Sequence, residues 1–205
     1  MEENGVWHQD RYYFSTDEGE RIYIRSAPGK SPYALIAYDK DHNVRISYLR
    51  DSKDMILQSR YLLNMLGLEQ LLLRHNGLIL HSSLIRWQGR SILFSAPSGT
   101  GKSTHTQLWL KRFPGSFILN DDKPAIRITE DGIFAYGTPF SGKTDLNVNT
   151  GVPIGGICVL QRGETNHIEK ITVEEALFNI LNQTVRPYNE EEMDKLLKTL
   201  DKVIE

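Results

Sequence analysis

Ile92-Leu93-Phe94-Ser95-Ala96-Pro97-Ser98-Gly99-Thr100-Gly101-Lys102-Ser103-Thr104 is the stretch that decides how the rest of the chain is read. An apolar run, Ile92 to Phe94, leads into a glycine-rich turn, and a helix-forming segment from Thr104 to Arg112 leads out of it. Strand, glycine-rich turn, then helix is the context that a phosphate-binding loop requires. Glycines let successive backbone N–H groups converge on an anion, and the helix behind them adds its positive N-terminal end. On this reading Ser98, Gly99, Thr100, Gly101, Lys102, Ser103 and Thr104 form a cradle for ATP or another nucleoside triphosphate. Lys102 reaches the β- and γ-phosphates as a point charge. The Ser103 hydroxyl serves as one ligand of Mg2+, an ion that takes hard oxygens and keeps several waters. Ala96 stands where the pattern GxxxxGK followed by Ser or Thr has its first glycine. The change is minor, because Gly99 and Gly101 are the glycines expected closest to the phosphates. The bland alternative is a Gly/Ser turn that caps a helix.

The chain's 205 residues suit one substantial domain, or one domain with a small appendage. Apolar content of 40% and charged content of 24% are those of an ordinary globular protein. A net charge of −2 with interspersed signs argues against a nucleic-acid or anionic-membrane partner. No apolar run is long enough to span a bilayer, and the start, Met1-Glu2-Glu3-Asn4, is acidic and unlike a signal peptide. One cysteine, Cys158, excludes an internal disulfide, and its setting in Ile157-Cys158-Val159-Leu160 reads as a core thiol. The expected compartment is the cytoplasm.

Residues 1–50 read as short strands around Tyr12–Phe14, Ile22–Ile24, Tyr33–Tyr38 and Val44–Tyr48, separated by turn-rich segments. They form either a β-rich N-terminal appendage or the edge of a main sheet, and residues 51–205 form the principal domain. His8 and His42 lie in polar surroundings and read as solvated. From Lys53 to Arg74 the spacing turns helical, with Leu57, Tyr61, Met65, Leu68 and Leu72 on one stripe and Asn76-Gly77 closing it. Leu78–His81 and Ser83–Trp87 precede Gln88-Gly89 and the loop strand, a hairpin pattern that implies a mixed sheet.

Phe113-Pro114-Gly115 turns the chain, and Phe117–Asn120 is a short strand ending in Asp121-Asp122. Two carboxylates at the tip of a buried strand are costly unless a cation or a proton transfer uses them; a polar turn is the alternative. Ala125–Ile128 and Ile133–Tyr136 flank Asp131-Gly132 as a second hairpin. The loop Gly137–Thr144 carries glycines and Lys143 that could close over a phosphate, or it is simply solvent-exposed. Pro153–Leu160 is a buried strand, and His167–Ile171 is expected as its hairpin partner. Thr172–Glu175 has capping-box spacing and starts a helix running to about Thr184. Arg186-Pro187 ends that helix, and Asn189 caps a last one with Leu196, Leu197, Leu200 and Val203 on its apolar stripe.

His81 in Leu80-His81-Ser82-Ser83-Leu84-Ile85, the loop Ser98–Ser103 and the run Leu119-Asn120-Asp121-Asp122 lie within residues 78–163. Together they resemble the HPr kinase/phosphorylase family and its relatives on the phosphoenolpyruvate-carboxykinase-like fold. The resemblance implies an α/β, mixed-sheet phosphate-loop fold of that type with the N-terminal β-rich segment appended. It implies that Asp121 is the general base toward an acceptor hydroxyl, that His81 pairs with and tunes it, and that Asp122 and Ser103 lie near the metal. Lys102 would neutralise phosphoryl charge beside them. The resembling kinases often assemble as homo-oligomers. Pro97 replaces an acidic residue of the bifunctional enzymes, and their Glu-x-Arg-Gly segment is absent, with Gly137–Lys143 near its place. Phosphorolysis, and HPr as the acceptor, are therefore not implied. The chain is nearer to the compact kinase homologues of peptide natural-product pathways, including lasso-peptide tailoring kinases. The family pattern would add one more strand after the last helix.

The function expected is a Mg2+- and ATP-dependent kinase acting on a hydroxyl, of serine type, in a peptide or protein. The alternatives are a small-molecule kinase, a nucleotide-binding regulatory module without phosphotransfer, and a plain NTPase. The last needs a water-positioning residue that the sequence does not display.

Overall fold

Gln88 and Gly89 both take positive φ, 49° and 78°, the pair of angles a type I′ turn demands and whose twist matches the flanking strands. Across that turn β7 (Ser82–Trp87) and β8 (Arg90–Ser95) pair antiparallel, from Trp87 opposite Arg90 to Ser82 opposite Ser95. The hairpin expected ahead of the glycine-rich loop is present. The computed structural model in which it is seen describes residues 4–41, 43–48, 67–142, 144–187 and 189–205. Those residues form a mixed α/β protein with two sheets and four helices. It divides into two units at Leu68 and Glu69. No helix among the described residues is long and apolar enough to cross a membrane.

The first unit is an antiparallel meander: β1 (Val6–His8), β2 (Arg11–Thr16), β3 (Gly19–Arg25), β4 (Pro32–Tyr38) and β5 (Val44–Tyr48), in that spatial order. The strands read from residues 1–50 are therefore a sheet of their own and not an edge of the main one. Alternation buries Ile22 and Ile24 on β3 and Ala34 and Ile36 on β4. The apolar stripe through Leu57, Tyr61 and Met65, like His42 and Lys143, lies outside the described residues.

The second unit begins with α1 (Leu68–Arg74) and β6 (Gly77–Ile79). After β7 and β8 come α2 (Lys102–Arg112), β9 (Phe117–Asn120), β10 (Ala125–Thr129), β11 (Gly132–Tyr136) and β12 (Gly151–Val159). Two helices close the chain, α3 (Val173–Asn182) and α4 (Glu190–Ile204). The sheet order is β6-β10-β11-β12-β8-β7-β9. Only β12 and β8 run parallel, so the sheet is mixed as expected.

Strict alternation distributes the core. Leu84, Leu93 and Leu119 point to one face, where Ile180, Leu196 and Leu200 of α3 and α4 meet them. Their neighbours Ile85, Phe94 and Ile118 point to the other, under Trp109 and Leu110 of α2. Each fully buried side chain of this size contributes about 1.5–3 kcal/mol. The helix ends are held as the sequence suggests. Thr172 and Glu175 form a reciprocal capping box, and the Asn189 side chain accepts from the Glu192 N–H. Cys158 is half-buried beside the α2-side cluster, and burial pushes its thiol pKa up.

One expectation fails. Residues 160–171 form no strand, and Ile168 is 89% exposed. β12 instead takes both its neighbours from strands that precede it, β11 beside Gly151–Pro153 and β8 beside Ile154–Val159. The segment after it remains a polar connection into the Thr172 cap.

Strand order conceals a corner. β6 and β9 are the two ends of the order, yet only Leu80 and His81 separate β6 from β7, and Asp121–Pro124 alone separate β9 from β10. The two passing chains stay bonded through the gap. The Leu80 N–H donates to the Pro124 carbonyl at 3.1 Å, and the Ser82 N–H to the Asp122 carbonyl at 2.9 Å. The sheet thus bends back on itself, with His81 on one side of the bend and the two aspartates on the other.

Candidate functional site

Two elements converge here, the loop between β8 and α2 and the strand corner. In the loop, Gly99 has φ 79° and Gly101, capping α2, has φ 114°. Side chains rarely adopt such angles. A Cβ at either position would meet nothing within 4 Å, so the space over the loop backbone is open. Lys102 is 8% exposed, and its Nζ donates to the carbonyls of Ala96 at 2.8 Å and Pro97 at 3.4 Å. Burial lowers its pKa, while Asp122 and Asp121 pull it back up. Ser103 and Thr104 sit exposed on the first turn of α2. From the end of β12, Arg162 Nη2 donates to the Gly99 carbonyl at 2.9 Å.

At the corner, Asn120 bends the chain as an Asx turn. Its Oδ1 accepts from the N–H groups of Asp122 (3.0 Å) and Lys123 (2.8 Å), and its Nδ2 donates to the Thr138 carbonyl. The two aspartates then fall in different surroundings. Asp121 is 7% exposed, its Oδ1 accepting from Ser83 Oγ at 2.7 Å and its Oδ2 from Thr144 Oγ1 at 3.0 Å. Ser83 also reaches Thr106 Oγ1 on α2 at 3.3 Å. The Asp122 side chain is 30% exposed, with Oδ1 3.5 Å from His81 Nε2.

His81 is fixed from several directions. Its Nδ1 lies 3.0 Å from Gln183 Oε1, its N–H donates to the Gln183 carbonyl at 2.8 Å, and its own carbonyl accepts from Ser95 Oγ at 3.1 Å. Burial is the main cause that lowers its pKa, followed by Lys102; Gln183 and Asp122 raise it, and Lys123 lowers it further.

The structure therefore brings His81, Asp121, Asp122 and Lys102 into one neighbourhood. It corrects one pairing: the partner of His81 is Asp122, where Asp121 was expected. The turn at Asn120 leaves the Asp122 carboxylate beside the histidine, while the hydroxyls of Ser83 and Thr144 hold Asp121. The Gly137–Thr144 loop is not simply solvent-exposed. Thr138 and Ser141 are buried, Thr144 binds Asp121, and a Cβ on Gly142 would lie 3.1 Å from that of Asp122. Sequence reasoning passed over Ser83, Thr106, Thr144 and Gln183, and gave Arg162 no role. A lone serine among apolar strand residues was the one available signal, at Ser83.

Among the described residues no three His, Cys, Asp or Glu side chains gather as a metal site. A Mg2+ ion that accompanies a nucleotide needs no such cage, since phosphate oxygens and waters supply most of its ligands. The exposed Ser103 hydroxyl at the start of α2 fits the remaining place.

Fold and site together define a mixed-sheet α/β protein in which a glycine-rich strand–turn–helix faces a strand corner bearing a histidine and two aspartates. Residues 49–199 match the model of the SynChlorMet cassette protein ScmC family, and the chain belongs to that family. Comparison with curated proteins gave no match.

Proposed function

We propose that this protein is a Mg2+-dependent, ATP-using kinase that moves the γ-phosphate to a serine-type hydroxyl of a peptide or protein. The proposal includes the phosphoenolpyruvate-carboxykinase-like fold, kinship with the HPr kinase/phosphorylase relatives and a cytoplasmic setting. The observation that carries it is the His81–Asp122 pair, a partly exposed carboxylate backed by an imidazole within electrostatic reach of the buried Lys102. Phosphoryl transfer asks a protein chiefly to position and to neutralise, with a carboxylate to take the acceptor's proton.

In this reading the open backbone at Gly99 and Gly101 receives the phosphates, and Lys102 exchanges the Ala96 and Pro97 carbonyls for phosphate oxygens. Ser103 would contribute its hydroxyl to Mg2+, which would supply positive charge to offset that of the phosphates. Asp122 takes the role of base first expected of Asp121, because its carboxylate is the exposed one. Asp121, with both oxygens already bonded, ties β9 to β7 and to the Gly137–Thr144 loop, and so holds the corner in shape.

The test is acceptor-dependent turnover. The protein is incubated with Mg2+/ATP and peptide and protein fractions of its own cell, and mass spectrometry looks for added phosphate. A defined phosphorylated product is expected, reduced about 10²–10⁴-fold by Asp122→Asn with nucleotide binding retained. Tight nucleotide binding with no transfer to any fraction would instead make the protein a regulatory nucleotide-binding module. Transfer that survives Asp122→Asn but not Asp121→Asn would return the base to Asp121.

A further inference from the structure

We propose that Gln183 is a positioning residue that makes Asp122 an effective base by fixing the tautomer of His81. The inference rests on the phosphotransfer reading above and adds to it a residue from a distant part of the chain. A carboxamide oxygen can only accept a hydrogen bond. Gln183 Oε1 lies 3.0 Å from His81 Nδ1, and a hydrogen bond between these two atoms places the ring proton on Nδ1. A neutral imidazole carries one N–H, so Nε2 is left with a lone pair 3.5 Å from Asp122 Oδ1. Burial and Lys102 lower the pKa of the ring and favour its neutral form, against the upward pull of Gln183 and Asp122.

Two acceptors thus face one another with no proton between them. The first proton to arrive creates a hydrogen bond across that gap. In the reaction, the acceptor O–H bond breaks as its oxygen bonds to the γ-phosphorus. The bond from that phosphorus to the bridging oxygen breaks, and its electron pair leaves with the nucleoside diphosphate. The acceptor's proton passes to Asp122 and is shared with His81 Nε2. The new hydrogen bond exists only as charge moves, and an interaction that strengthens toward the transition state is the kind that raises kcat. With the opposite tautomer, Nε2–H would already donate to the resting carboxylate and make it a poorer base.

Gln183 is well placed to impose this choice. It ends α3, its N–H bonded to the Ile180 carbonyl, and Ile180 is buried in the core. Its backbone carbonyl accepts from the His81 N–H, and its neighbour Thr184 bridges to Leu80. Backbone and side chain of one residue thereby hold the same histidine.

Ring 15N NMR of His81, assigned with His81→Gln, tests the proposal beside steady-state kinetics. The wild type is expected as the Nδ1–H tautomer. Gln183→Met, which keeps the length without the acceptor, should move the ring to Nε2–H and lower kcat about 10–100-fold, with KM largely unchanged. Gln183→Asn, polar but too short, should do the same and covers the case in which the methionine variant misfolds. A wild-type ring in the Nε2–H form overturns the proposal whatever the activity. A tautomer that moves while kcat stays constant overturns it as well. Absence of any transfer by the wild type would instead sink the kinase reading, and the base role with it.

Discussion

In the N-terminal meander every pairing joins strands consecutive in sequence, whereas in the seven-stranded sheet β6 pairs with β10, β12 with β8 and β7 with β9 across longer stretches of chain. The difference appears in individual bonds. Arg21 of the meander reaches the Tyr38 carbonyl, 17 residues on, while His81 and Gln183 in the second unit are 102 residues apart. Local pairing is sufficient to bury Ile22, Ile24 and Ile36. The long-range sheet has a corner, and a corner exposes strand tips whose side chains belong to different parts of the chain. Chemistry-bearing residues collect there.

The sharpest way to break this comparison is to damage each sheet equally. Leu93→Ala and Ile36→Ala both empty a fully buried position, and each should cost about 2–5 kcal/mol in denaturant unfolding. Only Leu93→Ala, on the strand that feeds the glycine-rich loop, should also weaken nucleotide binding under conditions where both variants are folded. Equal weakening by Ile36→Ala would mean that the site depends on the meander. A smaller effect is expected from Thr144→Val, which removes one of the two hydroxyls that hold the buried Asp121. A hydrogen bond to a charged group is worth about 1.5–3 kcal/mol, and an unchanged denaturation midpoint would remove Asp121 from the account of the corner's rigidity.

The smallest effect is one of pH. The His105 ring packs on Phe94, with centroids 4.5 Å apart, and burial lowers its pKa. Below about 6.5, the ordinary imidazole value, the unfolded chain takes up a proton before the folded one. Stability is therefore complete above that pH and declines as pH falls through the folded-state value. His105→Leu should flatten this acid-side decline in melts between pH 7 and 5, leaving the share that His81 contributes with the same sign. An identical decline in the variant would contradict it.

What was legible in the sequence follows the same division. Gln88-Gly89, the Thr172–Glu175 box and Asn189 act within a few residues, and each does what its chemistry suggests. The mixed sheet followed from one such local feature, the hairpin. His167–Ile171 was misread because both sides of β12 are taken by strands that precede it, β11 and β8. The identity of the aspartate that meets His81 depends on how Asn120 turns the chain, and adjacent identical residues carry no mark of side. Gln183 had no signal at all, since a glutamine at a helix end is ordinary until the residue it touches is known.

The corner also sets an order on biosynthesis. Everything the glycine-rich loop needs locally, from Ser82 through Arg112, is made before β9 exists. The histidine's partners arrive afterwards, Asp122 first and Gln183 near the end. At about 5–20 residues per second, a nascent chain spends several seconds with its loop translated and its corner incomplete. On the proposed function, such a chain would hold the loop that receives the nucleotide before it holds the residues that act on it.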